Sequence, residues 1–537
     1  MRDNEIAYSW LDSLPRPLMS AVWSRQGWTH ARRRAYALAN VHREDPTVPI
    51  SDATSRPRPG RLTYLSEQDK TAIYDAALEI IGTIGMRVHH PEALELLRAA
   101  GCAVTEPDLV CIPRELVEKA RATAPAMIEV FDRIGEPAMS LGGFNSYFGT
   151  GSDLMSTYDL ETGERRQSVL ADVARAARLC DALPNIDFVM SCAHPNDIEP
   201  HRSYLESFRA MLTGTTKPMV MTAENAADLK VYWEIASALR GGAEELRAKP
   251  YFTMYLEPVS PLSHPVESID KLLFCADWGI PAIYSPAPLA GGTAPITVAG
   301  HTCQGVAESL FGLVIHQLRR PGSPFLFGIG PAVLDMATSQ SSYNAPEYLM
   351  TFLCQIEMAR WLDLPNWGYG GTSDSQVVDA QAGMEIGELA LLCLAAGSNL
   401  NHDVGYLDFG LTASLELIVI VDEYISLNRR LFAGVEVSPE TLAVDTVREV
   451  GPGGDFLSAK HTARHVRKAQ WRPTIINRES HVRWAEDGGL DLREKARRKA
   501  LKLLESHEPA PLPAELAARI DGLVAAFVPE PATDGDR

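Results

Sequence analysis

Hydrophobic and polar residues follow a helical period in the first part of this chain. "SEQD", residues 66–69, is a potential capping box, in which the Ser66 hydroxyl and the Asp69 carboxylate satisfy free amides of a first helical turn. The apolar positions that follow keep helical spacing until Gly85. "HPEALELLRAAGCAV" and "IPRELVEKARATAP" predict two more helices. We therefore interpret residues 61–140 as an N-terminal helical segment.

From about residue 145 the pattern changes to short apolar strands that alternate with helices. Eight runs predict strands: "SYFGTGS", "NIDFVMSCA", "KPMVMTA", "PYFTMYLEP", "IPAIYSP", "PFLFGIG", "PNWGYGG" and "NLNHDVGY". One helical run separates each strand from the next, which favours a parallel sheet. Eight such units predict an α/β protein whose residues 141–430 form a closed (β/α)₈ TIM barrel. A doubly wound open sheet is the alternative, but no G-x-G-x-x-G follows the first strand.

The remaining segments flank or interrupt the predicted barrel. Residues 1–60 are rich in Arg and Pro and are interpreted as an arm or linker. "DLMSTYDLETGERRQSV" predicts a hairpin after the first barrel strand, with its turn at Thr162–Gly163. Residues 431–537 predict a C-terminal helical extension that includes "LREKARRKALKLLESHE" and "AELAARIDGLVAAF".

Charge and composition narrow the classes of partner. The formal net charge is -19, which argues against nucleic acid and anionic membranes as partners and suits a cationic ligand. The apolar stretches "LELIVIV" and "ELALLCLAA" are shorter than the roughly 20 residues of a membrane span. The first 20 residues lack the apolar region of a signal peptide, and the eight cysteines form no C-x-x-C motif. We expect a cytoplasmic protein, and a homo-oligomer that associates through outer helices of the barrel.

Polar and aromatic side chains collect where the predicted strands end, which is the end of a barrel that carries its chemistry. Each residue alone could instead cap a helix, form a turn or pack in the core, and the prediction rests on their recurrence at successive strand ends. The residues expected to face one site there are Glu257, His264, Gln340, Asp374, His402 and Asp403, together with Tyr147, Phe148, Tyr255, Tyr343, Trp367, Tyr369 and Tyr406.

Metal and phosphate chemistry have weaker support. "CAH" (192–194) and "HTC" (301–303) each place a Cys and a His two residues apart, but no third ligand has suitable spacing, so we predict no metal site. "GPGGD" (451–455) lacks the Lys-Ser/Thr of a phosphate-binding loop and is interpreted as a turn. Cys303 and Cys393 fall within helical patterns and are expected to be buried thiols.

Three stretches resemble the trimethylamine methyltransferase family. They are "GGTSDSQVVDAQAGME", "LAVDTVREVGPGGDFL" with "KHT" soon after it, and "REKARRKALKLLE". The resemblance extends over nearly the whole chain from about residue 60. It implies a (β/α)₈ barrel that moves a methyl group from a methylated amine to the cobalt of a separate corrinoid protein. Cobalamin would then be carried by that partner, and we expect no tightly bound cofactor in this chain.

One departure from the family pattern bears on the substrate. Archaeal members that act on trimethylamine carry pyrrolysine, which the resemblance places in or beside the Gly-rich loop. This chain reads "YGGTSDSQ" there, without a non-standard residue. Similar members without pyrrolysine act on quaternary amines such as glycine betaine. The resemblance therefore implies a quaternary amine, with glycine betaine or a related betaine as the first candidate.

Specific roles follow for the predicted site residues. Tyr147, Phe148, Tyr369 and Tyr406 are candidates for an aromatic cage around a cation, and Asp374 and Glu257 for its negative charge. His264 and His402, with Gln340 or Thr372, are candidates for binding a carboxylate. Gly370 and Gly371 would let the substrate or the corrin approach the backbone. Two alternatives remain open: a barrel lyase or hydrolase that uses Glu257 and His264 as an acid–base pair, and a non-catalytic binder of quaternary amines.

Overall fold

The computed structural model describes residues 60–105, 107–328 and 330–528. The predicted arm, residues 1–60, lies outside these ranges apart from Gly60. Of these described residues, those in 60–432 and 473–528 belong to one compact unit, and those in 433–472 belong to a second unit. The chain division predicted at residues 60, 140 and 430 stays a prediction.

The N-terminal segment contains the three predicted helices and adds two small sheets. The helices are α1 (Glu67–Glu79), α2 (Pro91–Ala99) and α3 (Arg114–Thr123). The predicted capping box is present, because Ser66 and Asp69 bond each other's backbone amides at the start of α1. The strands are β1 (Met86–Val88), β2 (Ala103–Thr105), β3 (Leu109–Cys111), β4 (Ile128–Phe131) and β5 (Pro137–Leu141). β4 and β5 form an antiparallel hairpin.

The eight predicted barrel strands are confirmed and close into a ring. Seven of them are β6 (Tyr147–Phe148), β9 (Met219–Met221), β10 (Phe252–Leu256), β12 (Ala282–Tyr284), β14 (Phe325–Phe327), β17 (Trp367–Tyr369) and β18 (Leu400–His402). The second strand in chain order is reduced to isolated bridges at Phe188 and Val189, which join β6 to β9. Every neighbouring pair is parallel, and β18 pairs with β6, so the barrel is closed.

Helices follow the strands and cover the outside of the barrel. They are α4 (Leu170–Ala182), α5 (Pro200–Gly214), α6 (Ala226–Arg240), α7 (Ala243–Ala248), α8 (Val266–Trp278), α9 (Val298–Arg319), α10 (Pro346–Trp361), α11 (Ala380–Ala396) and α12 (Leu415–Phe432). The chain outside the ring also forms short strands: β7 (Ser156–Tyr158), β8 (Arg165–Gln167), β11 (Ser263–His264), β13 (Leu289–Ala290), β15 (Ala332–Leu334), β16 (Ser341–Ser342), β19 (Tyr406–Leu407) and β20 (Thr412–Ala413). β7 and β8 are the predicted hairpin, and Gly163 at its turn has a φ of 76°.

Two groups of apolar side chains hold the barrel together. One lies inside the ring, where Phe188, Ile283, Leu326 and Leu400 pack against apolar residues of the β4–β5 hairpin. The hairpin therefore contributes to the barrel interior, although residues 61–140 were predicted to form a helical segment. The other group fills the space between the ring and the helices, as expected for strands that are buried on both faces.

The C-terminal part is helical, as predicted. Residues 433–472 contain α13 (Pro439–Leu442), α14 (Val444–Val450) and α15 (Lys460–Ala469). The larger unit ends with α16 (His481–Glu486), α17 (Leu492–Ser506) and α18 (Ala514–Ala526). Among the helices of the described residues, none is long and apolar enough to cross a membrane.

Candidate active site

A cavity of about 340 Å³ opens at the ends of the barrel strands, where the sequence predicts the site. We call it the mouth cavity. It is lined by Ser152, Asp153, Met190, Tyr204, Thr222, Ala223, Tyr255, Glu257, Lys271, His402, Asp403 and Tyr406. Most of these residues lie at or just after a barrel strand, so the closing of the ring brings distant parts of the chain together. The volume suits a small organic molecule.

Aromatic rings form the inner part of this site. The indole of Trp367 stacks on the imidazole of His402 with a centroid separation of 4.0 Å, and Tyr369 lies 4.5 Å from the same imidazole. Tyr255 lies across from them, 6.4 Å from His402. Tyr343, in the loop between β16 and α10, contacts Tyr369 with a ring-centroid separation of 6.4 Å. Stacked rings of this kind are rigid, which fixes the shape of the cavity.

We call the aromatic rings of Trp367, His402, Tyr369 and Tyr343 the ring stack. His402 is held neutral inside it. Its Nδ1 lies 2.7 Å from the carbonyl oxygen of Gly368, which assigns the proton to Nδ1 as the donor. Burial lowers the pKa of His402 to about 3. Its Nε2 lies 3.3 Å from Oδ1 of Asp403 and is left as an acceptor. A neutral imidazole of this kind attracts no anion by charge.

Asp403 is a buried carboxyl group in the wall of the cavity. Burial raises its pKa well above the ordinary value. In the protonated form it can donate to Nε2 of His402. Gly151 makes room for it, because a Cβ there would lie 2.1 Å from Oδ1 of Asp403 and 2.2 Å from the Tyr406 hydroxyl oxygen. The Tyr406 hydroxyl donates to the carbonyl oxygen of Ser152.

Two further carboxyl groups and one ammonium group face the same space. Glu257 lies at the open rim, yet the surrounding walls restrict its hydration and raise its pKa to about 7. Burial also raises the pKa of Asp153, whose backbone has a φ of 65°. Lys271 reaches the cavity from α8, and burial lowers its pKa. The cavity therefore carries more acidic than basic groups, and a cation would stabilise the ionised carboxylates.

The structure brings only part of the predicted site together. Five predicted residues line the mouth cavity, namely Tyr255, Glu257, His402, Asp403 and Tyr406. Trp367, Tyr369 and Tyr343 lie beside them in the ring stack. Asp153, Tyr204 and Lys271 were missed. Asp153 stands in the polar stretch "YFGTGSD" at a strand end, a signal that could have identified it, whereas Tyr204 and Lys271 lie on helices, where nothing in the sequence distinguishes them.

His264 does not reach the cavity. Its Nδ1 lies 2.6 Å from the hydroxyl of Tyr284, and its ring stacks on Phe311 of α9, 4.7 Å away. Burial lowers its pKa to about 3. It therefore lies behind the barrel wall, between strand and helix, and the predicted acid–base pair of Glu257 and His264 is not formed.

Asp374 supports a neighbouring loop instead of facing the cavity. Its carboxylate accepts hydrogen bonds from the Ser342 hydroxyl at 2.5 Å and from the backbone amides of Tyr343 and Asn344 at 3.0 and 3.3 Å. It does not cap the following helix either, because Asp379 is the N-cap of α11. Asp374 fixes the loop that holds Tyr343 against Tyr369.

The glycines of the same loop are spacers between elements. A Cβ on Gly370 would lie 2.8 Å from the Phe148 ring, and a Cβ on Gly371 would lie 3.1 Å from Val421 of α12. Both sites are already filled by neighbouring residues, so neither leaves room for a substrate or a corrin ring. Neither glycine has a positive φ.

The other predicted residues lie away from the mouth cavity. Tyr147 is at the opposite end of the barrel, where its hydroxyl accepts from the Ser140 amide at 3.1 Å. Phe148 is fully buried in the core outside the ring. Gln340 is exposed beside the β15–β16 turn, and Thr372 is fully buried. The cage is therefore not formed by Tyr147 and Phe148.

The cysteine and histidine pairs show no metal arrangement. His301 bonds the carbonyl oxygen of Pro288 through Nε2 at 2.7 Å, and Cys303 and Cys393 are buried in helices as predicted. Within the described ranges, no group of three His, Cys, Asp or Glu residues is placed to hold a metal ion.

Comparison with known proteins agrees with the resemblance found in the sequence. The profile of the family described as "Trimethylamine methyltransferase (MTTB)" matches residues 29–527. The chain is 30% identical to trimethylamine methyltransferase MttB of Desulfitobacterium hafniense, over 86% of this chain and 93% of that protein. It is 31% identical to MttB of Methanosarcina thermophila, over 85% and 95% of the two chains. It is 28% identical to a glycine betaine methyltransferase of Desulfitobacterium hafniense, over 87% and 97%. The chain belongs to the trimethylamine methyltransferase family, and it is a methyltransferase.

Proposed function

We propose that this methyltransferase moves a methyl group from a quaternary amine, glycine betaine or a related betaine, to cob(I)alamin carried by a partner corrinoid protein. The observation that carries the proposal is the mouth cavity, where Tyr255, His402 and Tyr406 surround a space next to the buried carboxyl group of Asp403. Aromatic rings and a carboxylate together favour a methylated ammonium group.

The side chains of the cavity have distinct tasks in this reaction. Each ring that faces the ammonium group contributes on the order of 0.5 to 2 kcal/mol of attraction. Asp403 supplies the negative charge, and the ring stack around His402 limits how the ligand can rotate. Holding the methyl group in one orientation is itself a large part of catalysis for a transfer between two molecules.

The leaving group explains why no acid–base pair is needed. Cob(I)alamin, if a partner protein presented it, would supply the nucleophile that accepts the methyl group, while the residues of the mouth cavity would hold the amine and orient its C–N bond. A quaternary ammonium then departs as a neutral tertiary amine, so no side chain has to deliver a proton. The loop at residues 370–376 contains no non-standard residue, which supports a substrate that is already activated by its own charge.

The position of the cavity also fits a cofactor carried by another protein. Glu257 and Val259 are exposed at the rim, so the cavity opens to the surface. A corrinoid partner would present its cofactor at this opening, and the twelve lining side chains would hold only the amine. We also propose that the protein is cytoplasmic and forms a homo-oligomer.

A cob(I)alamin methylation assay tests the proposal. The purified chain is mixed with chemically reduced cobalamin and with glycine betaine, choline or trimethylamine in turn. We expect absorbance of methylcobalamin, and the demethylated amine by mass spectrometry, with a quaternary amine. Conversion of an amine without cobalamin would point to a barrel lyase or hydrolase. Binding of the amine without any turnover would point to a non-catalytic binder.

A further inference from the structure

Lys271 is the single residue with a cationic side chain among the twelve that line the mouth cavity. The titratable acids there are Asp153, Glu257 and Asp403, and His402 is neutral. An ammonium side chain in a cavity that binds only a cation would weaken binding, because the two positive charges repel. The presence of Lys271 therefore needs an explanation that the ammonium end of the substrate does not provide.

The hydrogen bonds of Lys271 leave it available for a ligand. Its Nζ donates to the carbonyl oxygen of Ala223 at 2.7 Å, which fixes its position. An ammonium group has three protons, so two remain. Within the described residues Lys271 forms no ion pair, although Asp228 and Glu257 are near enough to oppose the lowering of its pKa. A partly buried ammonium without an ion pair gains most from an anion that arrives with the ligand.

A second buried lysine shows what a purely structural role looks like in this barrel. The Nζ of Lys217 donates to three carbonyl oxygens, those of Cys180, Leu183 and Ile186. All of its protons are used, and it does not line the mouth cavity. Lys271 differs in both respects.

The ring order of the barrel places Lys271 opposite Asp403. Lys271 lies on α8, which follows β10, and it bonds the chain just after β9. Asp403 follows β18. β10 and β18 are the fourth and eighth strands of the ring, half a turn apart. The cavity therefore has an acidic wall next to the ring stack and an ammonium group on the facing wall.

We propose that Lys271 binds a carboxylate at the far end of the substrate, so that the site selects betaines over quaternary amines with neutral tails. This inference rests on the proposed function for the ammonium end. Glu257 stands on the same wall as Lys271, and with a pKa of about 7 it is partly protonated near neutral pH, so it can donate a hydrogen bond to the same carboxylate. His264, Gln340 and Thr372, which the sequence suggested for this task, lie outside the cavity.

The test compares ligands that differ only at the carboxylate end. Isothermal titration calorimetry with glycine betaine and with choline is carried out on the wild type, Lys271→Gln and Lys271→Arg. Lys230→Gln is the control, since it removes the same charge from an exposed position on α6. We expect Lys271→Gln to weaken glycine betaine binding at least tenfold and to change choline binding less than twofold. Lys271→Arg keeps the charge and should retain the preference for betaine.

Several results would overturn the assignment. One is equal affinity of the wild type for choline and glycine betaine, and another is an equal loss of both ligands in Lys271→Gln. A third is glycine betaine binding in Lys271→Gln that matches Lys230→Gln. Failure of the proposed function is a separate observation, because it would appear as tight and selective betaine binding without methylation of cob(I)alamin by the wild type.

Discussion

Replacing Asp403 by Asn is the sharpest test of the acidic wall. An ammonium centre about 4 Å from an ionised carboxylate gains on the order of 4 kcal/mol at an effective dielectric constant near 20. Ionising Asp403 offsets part of this gain, by about 1.4 kcal/mol for each pH unit by which its pKa exceeds the pH of the assay. We therefore expect Asp403→Asn to lose less than this full gain but at least about 1.4 kcal/mol, or a roughly tenfold weaker affinity for glycine betaine.

Folding should survive this change. Asp403 has a φ of 66°, a conformation that Asn tolerates, and an amide can still donate to Nε2 of His402. Because burial raises the pKa of the Asp403 carboxyl group and so favours its protonated form in the empty site, binding of a cation to the wild type should release a proton. Calorimetry in two buffers of different ionisation enthalpy measures that proton, and we expect it to disappear in Asp403→Asn.

Asp408→Asn is the matched control. Asp408 lies five residues further along, also has a positive φ, and bonds Arg165 and Thr412 outside the mouth cavity. It should leave betaine affinity within twofold of the wild type. Unchanged affinity in Asp403→Asn, or an equal loss in Asp408→Asn, would refute the reasoning that a local carboxylate binds the ammonium group.

Three further predictions concern the same wall, the loop beside it and the rim. Gly151→Ala should displace Asp403 and Tyr406, lower methyl transfer at least tenfold and cost about 1 to 3 kcal/mol of stability. Gly522→Ala, with open space around it, should keep activity, and equal turnover in the two variants would contradict the packing argument. Asp374→Asn should lower the free energy of unfolding by about 1 to 2 kcal/mol in a denaturant titration, because three donors of the neighbouring loop lose their charged acceptor. Unchanged stability with reduced turnover would instead indicate that Asp374 acts directly on the substrate. Glu257→Gln should raise the melting temperature at pH 8 and leave it unchanged near pH 4. The reason is that a folded-state pKa of about 7, above the usual 4.5, costs stability only as pH rises through that range. An equal effect at both pH values would argue against the raised pKa of Glu257.

The sequence alone determined the barrel and the end at which its cavity opens. Eight apolar runs separated by helices allow few arrangements, since each strand must be covered on both faces and each crossover must return to a parallel neighbour. The end of the barrel followed from the same topology, and so did the placement of Tyr255, Glu257, His402, Asp403 and Tyr406, which lie at or just after their strands. The family followed from short polar stretches, which the comparison confirmed.

Only the tertiary structure decided which side chains enter the cavity. A strand end alternates between the two faces of the ring, and in strands that are apolar on both faces the sequence does not indicate which residue turns inward. Phe148 therefore turned out to be outside the ring. His264 lies on β11, which pairs with β1 instead of joining the ring, and Asp374 is bound by a loop 30 residues away in sequence. Lys271 enters from a helix on a long flexible side chain, whose reach depends on the packing of α8 against the strands. The charge opposite Asp403 was thus invisible in the pattern of strand ends, because it arises from how separate elements meet in space.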